Sequence, residues 1–243
     1  MAMLDDFEPK FCETSIAERV INTLTLAQRN NWIVSIEGPP GVGKTTAVLR
    51  YANERPRRVW YSAARPDTAA KGPLFRGLAM KFTGYKAAST RENVVSLRLE
   101  AERRCTPDCP VLLILDEAQN LNADTLETLR SIHDDGVMAL ALVGNHTFTD
   151  RFNTERQTLA ASPQFLSRLD VEISLSAIRR EDAVMVARAH GVPEALIDRL
   201  TKMAGGRKGL RIIESVPRLA ADLAGGAPPS RADFENAITV LCS

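Results

Sequence analysis

The stretch that decides the fold is Gly38-Pro39-Pro40-Gly41-Val42-Gly43-Lys44-Thr45, which fits the pattern G-x-x-x-x-G-K-[ST]. Residues 32–36 before it, which are apolar except for Ser35, are typical of a buried strand, and residues 46–52 after it have a helical pattern. Glycines let a backbone curl so that its N–H groups face an anion, and the helix N-terminus adds partial positive charge there. The stretch therefore predicts a phosphate-binding loop between a strand and a helix.

The residue types in this loop indicate a nucleotide triphosphate with its metal ion. The Lys44 ammonium can reach β- and γ-phosphate oxygens, and the Thr45 hydroxyl can bind Mg²⁺. ATP is favoured over GTP, because no Asn-Lys-x-Asp motif for guanine is present. The predicted cofactor-binding set in this stretch is Gly38, Pro39, Pro40, Gly41, Val42, Gly43, Lys44, Thr45 and Thr46.

A second acidic motif follows an apolar strand further along the chain. Residues 111–115 are continuously apolar and end in Asp116 and Glu117. Ligands of open α/β sheets bind at the carboxyl ends of the strands, where Asp116 is therefore expected to hold Mg²⁺. Glu117 is then placed to polarise the attacking water as a general base. Together with the phosphate loop, this pair predicts ATP hydrolysis.

Strands and helices alternate over residues 31–176, which predicts an α/β domain with a parallel sheet flanked by helices. Residues 1–30 are expected to form an N-terminal helical segment, in which Thr14 or Ser15 caps the helix. After Ser176 the strand patterns stop, and residues 177–243 predict a small helical domain. The chain thus has three expected parts, of which the middle one carries the phosphate loop.

The composition excludes several classes of protein. Its charged fraction of 25% and hydrophobic fraction of 44% are ordinary for a globular protein. No apolar run approaches the roughly 18 residues that span a bilayer, and residues 1–10 lack a signal-peptide pattern. We therefore expect a cytoplasmic protein that does not use a membrane. Its four cysteines complete no zinc set, and disulfides are rare in that compartment.

The combined motifs resemble the AAA+ ATPases over nearly the whole chain, which implies a P-loop NTPase core with a five-stranded parallel sheet and a C-terminal helical lid. By this resemblance, Asn145 after residues 137–143 would contact the γ-phosphate or the attacking water. Arg168 would act as the arginine finger on the ATP of a neighbouring subunit, with Arg151 and Arg156 as weaker alternatives. Arg211 would be the lid arginine called sensor 2, with Arg207 as the runner-up.

Within that family, the chain resembles the transposition target-capture ATPases of the Mu B type. The resemblance rests on the compact size, the run Asp116-Glu117-Ala118-Gln119 and the run Val143-Gly144-Asn145. It implies ATP-dependent assembly into a ring or filament on duplex DNA, with a transposase as partner. The Mu protein has an N-terminal DNA-binding domain, whereas about thirty residues precede the first core strand here. Contact with DNA is therefore expected from the ATPase domain itself.

A basic stretch supports the expected contact with DNA. Residues 50–104 hold 13 Lys and Arg against five Asp and Glu, although the whole chain has a net charge of only +1. Such asymmetry favours a surface that meets a polyanion, and phosphate contacts would make binding salt-dependent and largely independent of base sequence. The predicted DNA-binding residues are Lys71, Arg76, Lys81, Lys86 and Arg91.

Two other functions stay open at this point. The same nucleotide site could serve an ATPase that remodels a protein partner without DNA, as in secretion-assembly or initiator-type relatives. The near-neutral net charge of the chain favours that alternative. A metabolic P-loop kinase is a third hypothesis, which leaves the Arg168 segment and the helical C-terminal domain without a purpose.

Overall fold

The sheet is parallel throughout, as predicted. The computed structural model describes residues 11–106, 109–145, 165, 167–206 and 208–242. Within them, five strands pair in the order β2-β3-β4-β1-β5, and all four neighbouring pairs are parallel. This confirms the predicted α/β fold class. The strands are β1 (Ile33–Glu37), β2 (Val59–Ala63), β3 (Val111–Asp116), β4 (Met138–Gly144) and β5 (Leu169–Ser174).

Helices connect most of these strands and form the C-terminal part. Thr14 caps the first helix, since its Oγ1 accepts from the N–H of Ala17 at 3.1 Å, which decides between the two predicted caps. A short 3₁₀ turn, Ala118–Asn120, follows β3. The helices are α1 (Ser15–Asn30), α2 (Lys44–Glu54), α3 (Lys71–Thr83), α4 (Thr90–Arg104), α5 (Ala123–His133), α6 (Arg180–Ala189), α7 (Glu194–Ala204), α8 (Arg211–Leu223) and α9 (Arg231–Cys242).

Both faces of the sheet are buried at its three central strands, β1, β3 and β4. Successive side chains of a strand point to opposite faces, so Leu113 and Leu115 of β3 share one face while Leu112 and Ile114 share the other. All four are at most 2% exposed. The Leu113 face packs against α3, α4 and α5 in one continuous apolar cluster. Burial on both faces explains why β3 is an unbroken apolar run in the sequence.

Strand register aligns the carboxyl ends of the three central strands. Glu37 of β1 pairs with Gly144 of β4, and Leu115 of β3 pairs with Leu142 of β4. Strand β4 lies between β3 and β1 in the sheet. The residues that follow these strands therefore lie side by side at the carboxyl-terminal ends of the strands. Neighbouring strands of a sheet are about 4.8 Å apart.

The chain forms two compact units. The sheet unit comprises Val20–Gly38 and Ala47–Leu175, and the loop-and-lid unit comprises Met1–Arg19, Pro39–Thr46 and Ser176–Ser243. The domain limits expected from the sequence stay a prediction. In the loop-and-lid unit, α6 to α9 share an apolar cluster of their own. No helix in the described part of the chain is long and apolar enough to cross a bilayer.

Candidate functional site

The phosphate loop has the backbone conformation that the glycines predict. Gly41 and Gly43 adopt φ angles of +76° and +97°, which are left-handed values that glycine adopts without steric cost. Helix α2 begins at Lys44, so the amides of its first turn have no intrahelical acceptor. Free N–H groups at a helix N-terminus are a binding site for an anion such as a phosphate.

The two functional side chains of the loop are accessible to a ligand. The Lys44 ammonium donates to the carbonyl oxygen of Pro39 at 2.8 Å, so it is held over its own loop. The Thr45 side chain is exposed at the start of α2, and the half-buried Lys44 lies immediately before it. A lysine, a hydroxyl and the amides of a helix N-terminus form a donor set that fits a polyphosphate with Mg²⁺.

A turn before α8 contacts the phosphate loop through its backbone. The N–H of Leu210 donates to the carbonyl oxygen of Gly41 at 2.7 Å. A Cβ on Gly41 would lie 2.7 Å from the carbonyl oxygen of Lys208, and a Cβ on Gly209 would lie 2.6 Å from that of Gly41. Only glycine permits this approach at either position.

Arg211, the predicted sensor-2 residue, lies next to this contact. It is exposed at the first position of α8 and lines a cleft of about 360 Å³ together with Pro40 and Gly41. Its guanidinium is therefore on the same cleft as the phosphate loop, as the predicted role requires. The runner-up, Arg207, lies outside the described residues.

Replacing Gly209 by alanine is expected to destabilise this contact. Gly225 is the matched control, because its φ of +59° equals the +58° of Gly209 while no atom lies within 4 Å of its Cβ position. Both variants lose about 1–2 kcal/mol from the left-handed backbone. Only Gly209→Ala should lose a further ~1–3 kcal/mol from overpacking, and only it should weaken binding of a fluorescent ATP analogue severalfold. Equal losses in denaturant unfolding would contradict the account.

A second cleft of the loop-and-lid unit was not predicted from the sequence. Its lining joins Gly43 and Thr46 of the phosphate loop and α2 to apolar side chains, with Cys12, His190 and Glu214 as polar members. Burial raises the pKa of the Cys12 thiol, and the Glu214 carboxylate adds to that shift. With a volume of only about 30 Å³, this cleft is too small to hold the base of a nucleotide. No local sequence motif marks it, because its residues come from distant parts of the chain.

At the sheet edge, the acidic pair is held by backbone and side-chain bonds. Asp116 is 4% exposed, and its Oδ1 accepts from the N–H of Glu117 at 2.9 Å. Its Oδ2 accepts from the Tyr61 hydroxyl at 3.4 Å. Burial raises the pKa of Tyr61 to about 12, with the Asp116 carboxylate as the next cause. The phenol therefore stays protonated near neutral pH and remains a hydrogen-bond donor.

Glu117, the predicted general base, has a strained backbone and a side-chain partner. Its φ of +56° lies in the left-handed region, which costs a non-glycine residue about 1–3 kcal/mol and is most common at functional sites. The Gln119 amide donates a short hydrogen bond to its carboxylate. The side-chain Oε1 of Gln119 in turn accepts from the backbone N–H of Asn145 at 3.4 Å. Gln119, to which the sequence analysis gave no role of its own, thus joins the predicted base to the predicted sensor residue.

A buried carboxylate at the end of β1 also escaped the sequence prediction. Glu37 immediately precedes the phosphate loop, is 7% exposed and accepts a hydrogen bond from the Ser35 hydroxyl at 3.4 Å. The signal was present in the sequence, because an acidic residue ends a buried strand whose other residues, except Ser35, are apolar. Buried carboxylates are rare without a structural or functional reason.

Arg168, the predicted arginine finger, lies just before β5. In the sequence it is far from the phosphate loop and from the acidic pair Asp116 and Glu117. Its side chain is 57% exposed, and its Nε is 3.8 Å from the Asp134 carboxylate. A long exposed ion pair is weak, so the guanidinium is available to another molecule. The alternatives Arg151 and Arg156 lie outside the described residues.

The five predicted DNA-binding residues have different surroundings. Lys71 pairs with Asp124 at 3.0 Å, and Lys81 donates to the carbonyl oxygen of Tyr61 at 2.7 Å. The remaining three, all exposed, make no hydrogen bond or ion pair with other described residues: Arg76, Lys86 and Arg91.

Two of these unpaired residues share a cavity on the sheet unit. Arg76 and Lys86 line a cavity of about 580 Å³ whose wall includes Thr90, at the start of α4. On α3, Leu74 and Leu78 are buried, so Arg76 projects from the opposite, exposed face. This cavity brings together two of the three predicted DNA contacts that have no side-chain partner among the described residues.

Known proteins resemble the chain in sequence and in fold. The family model described as AAA domain matches residues 28–152. A Haemophilus influenzae protein named Mu-like prophage FluMu DNA transposition protein B is 29% identical over 210 residues, covering 84% of this chain and 70% of that protein. The protein of Escherichia phage Mu named ATP-dependent target DNA activator B is 29% identical over 219 residues, covering 90% and 68%.

Solved structures share the fold at lower identity. The Aeropyrum pernix ORC2 protein, solved as ADPNP–ADP complexes, aligns over 97% of this chain and 70% of its own, with a TM-score of 0.67 and 19% identity. Cdc6p from Pyrobaculum aerophilum aligns over 90% and 65%, with a TM-score of 0.60 and 18% identity. At these identities the likeness concerns the fold alone.

Proposed function

The chain belongs to the AAA domain family, and from that premise we propose that it is an ATP-dependent, DNA-binding ATPase that acts in DNA transposition. The observation that carries the nucleotide part is the left-handed glycine loop followed directly by the first turn of α2, with Lys44 poised over it. The relatives named DNA transposition protein B and target DNA activator B support the DNA part. The proposal includes capture of target DNA and activation of a transposase.

Each site residue has a role that its surroundings support. The amides of the loop and the Lys44 ammonium bind the phosphates, and Thr45 and Asp116 hold Mg²⁺. When bound, the ion neutralises charge on the transferring phosphoryl group. Glu117 accepts the proton of the attacking water, and its bond to Gln119 orients its carboxylate for that step.

DNA affinity is proposed to come mainly from the unpaired basic residues, because Lys71 and Lys81 would each have to exchange an internal bond for a phosphate. Lys71 and Lys81 already have protein partners, whereas Arg76 and Lys86 have none among the described residues. Replacing an unpaired residue forfeits a phosphate contact without disturbing an internal bond. Contacts to phosphates carry no base information, so the binding is proposed to be largely independent of sequence.

The double variant Arg76→Ala/Lys86→Ala is expected to bind random-sequence duplex DNA more weakly in the presence of a non-hydrolysable ATP analogue. Two lost phosphate contacts should reduce the slope of log affinity against log salt by about 2. Lys202→Ala on α7, also exposed, is the control and should leave the slope unchanged. The measurement is fluorescence anisotropy between about 50 and 200 mM salt. An unchanged slope in the double variant would show that DNA binds to a different surface of the protein.

Subunits are proposed to assemble head to tail, with Arg168 of one subunit completing the site of the next. Because the exposed Arg168 has only a weak ion pair among the described residues, Arg168→Ala should leave ATP binding by the isolated subunit intact. ATP turnover under assembling conditions should fall at least about tenfold, since a fixed guanidinium stabilises the transferring phosphoryl group. Turnover at varied protein concentration measures this. If the variant showed normal, concentration-dependent turnover, Arg168 would not be the arginine finger, and Arg151 or Arg156 would be the candidates for that role.

A protein-remodelling ATPase without DNA contact is the second candidate. The observation that favours it is internal pairing in the basic stretch: Arg98 binds Asp135, and Arg103 and Arg104 both bind Glu100. The charge that remains for DNA is therefore smaller than the composition suggests. Failure of the ATP-loaded protein to retain duplex DNA at low salt would favour this candidate.

A further inference from the structure

Tyr61 connects two features of the sheet unit that the proposed function treats separately. It lies in β2, next to β3, and its hydroxyl donates to Asp116 Oδ2 at 3.4 Å. The backbone carbonyl oxygen of Tyr61 accepts from the Lys81 ammonium at 2.7 Å. Tyr61 is therefore bonded both to the carboxylate at the end of β3 and to helix α3.

The Lys81 side chain is packed against aromatic rings as well as bonded. Its ammonium lies 5.6 Å from the centre of the Tyr61 ring and 5.5 Å from that of Phe82. A cation within about 6 Å of an aromatic face is attracted to it, by about 0.5–1 kcal/mol at exposed sites. Because Lys81 is exposed on α3, a phosphate that attracted its ammonium would compete directly with these contacts on Tyr61.

The hydroxyl of Tyr61 contributes to fixing the Asp116 carboxylate. One carboxylate oxygen accepts from the Glu117 N–H and the other from Tyr61, so the two bonds oppose rotation of the carboxylate about its Cβ–Cγ bond. Groups that orient a metal-holding side chain typically change metal affinity by about 10–100-fold when they are removed.

We propose that Tyr61 is a positioning residue that orients Asp116 for its metal ion, and that α3 acts on this carboxylate through Lys81 and Tyr61. The inference rests on the proposed function, because it takes Asp116 as the residue that holds Mg²⁺ and α3 as part of the DNA-binding surface. It adds a regulatory connection to that function. When the phosphate groups of DNA contact α3, the affinity of the Asp116 site for Mg²⁺ changes.

The first test is Tyr61→Phe, which removes only the hydroxyl and keeps the ring and the carbonyl that binds Lys81. Mn²⁺ binding is measured by electron paramagnetic resonance on the full chain saturated with a non-hydrolysable ATP analogue. We expect about tenfold weaker Mn²⁺ binding, an equal rise in the Mg²⁺ concentration that half-saturates ATP turnover, and near-normal turnover at saturating Mg²⁺. The control is Tyr85→Phe, because Tyr85 is 60% exposed and remote from Asp116 in the hydrogen-bond network of the described residues.

The second test is a double-variant cycle with Lys81→Ala. If Lys81 acts through Tyr61, Lys81→Ala should shift the Mn²⁺ dissociation constant in the wild-type background and shift it much less in Tyr61→Phe. Duplex DNA should likewise change that constant in the wild type and not in Tyr61→Phe. Independent, additive shifts would overturn the connection through Tyr61.

The result that would overturn the positioning role is an unchanged Mn²⁺ dissociation constant in Tyr61→Phe. That outcome is distinct from failure of the proposed function. If the wild type binds the ATP analogue with Mn²⁺ but neither hydrolyses ATP nor binds DNA, the proposed function fails, while the Mn²⁺ titration of Tyr61→Phe still decides the positioning role.

Discussion

Lys44→Ala is expected to abolish ATP binding at concentrations that saturate the wild type. The Lys44 ammonium is the side-chain charge of the phosphate loop and donates to the Pro39 carbonyl oxygen. We expect it to exchange this bond for phosphate oxygens when a nucleotide binds. Each hydrogen bond to a charged group contributes about 1.5–3 kcal/mol, so the loss of two weakens binding by at least about 100-fold. Titration with a fluorescent ATP analogue measures this effect. ATP-dependent assembly and DNA retention should disappear with it.

The control for this variant is Lys202→Ala, which removes an exposed lysine of the C-terminal helices. Both variants should unfold at wild-type temperatures without nucleotide, because neither lysine forms part of an apolar core. Only the wild type and Lys202→Ala should then gain thermal stability from ATP, since a ligand stabilises only the state that binds it. If ATP stabilised the Lys44→Ala protein to the wild-type extent, the loop would not be the nucleotide-binding site.

Glu117→Gln is expected to retain ATP binding and to lower its hydrolysis by about 10²–10⁴-fold, the usual contribution of a general base. Glutamine has nearly the same shape, and its side-chain oxygen can still accept the hydrogen bond from Gln119. The variant should therefore accumulate in the ATP-bound, assembled state and dissociate slowly from DNA. Single-turnover hydrolysis and size-exclusion chromatography with ATP measure the two effects.

Glu102→Gln on α4 is the matched control, since Glu102 is an exposed glutamate in the same unit. It should hydrolyse ATP at the wild-type rate. If Glu117→Gln also does so, the assignment of the general base is wrong, and the strained backbone at Glu117 needs another explanation.

The sequence predicted those parts of the site that are local in the chain. The phosphate loop needs glycines and Lys44 within eight residues, and the acidic pair directly follows an apolar strand, so a pattern over one short segment suffices. Parallel pairing also followed from the alternation of strands and helices. The strand order did not, because it depends on which strands pair across long stretches of chain.

What the sequence did not reveal depends on contacts between distant segments. Tyr61 is 55 residues from Asp116, and Gln119 is 26 residues from Asn145, so neither bond leaves a local pattern. Gly209 adopts a left-handed turn that could occur in any loop, and only its approach to Gly41 distinguishes it. For the basic stretch, the sequence suggested more charge for DNA than the structure leaves available. Composition counts Lys71 as a positive charge but does not reveal that Asp124 already pairs with it.

ATP turnover with and without random-sequence duplex DNA, at low and at moderate salt, tests the central claim most directly. The account predicts that DNA stimulates turnover, that added salt diminishes the stimulation by screening the phosphate contacts, and that Lys44→Ala shows no turnover in any condition. Turnover that depends on Lys44 but is unaffected by DNA, together with no ATP-dependent retention of DNA, would contradict the account and favour an ATPase that remodels a protein partner.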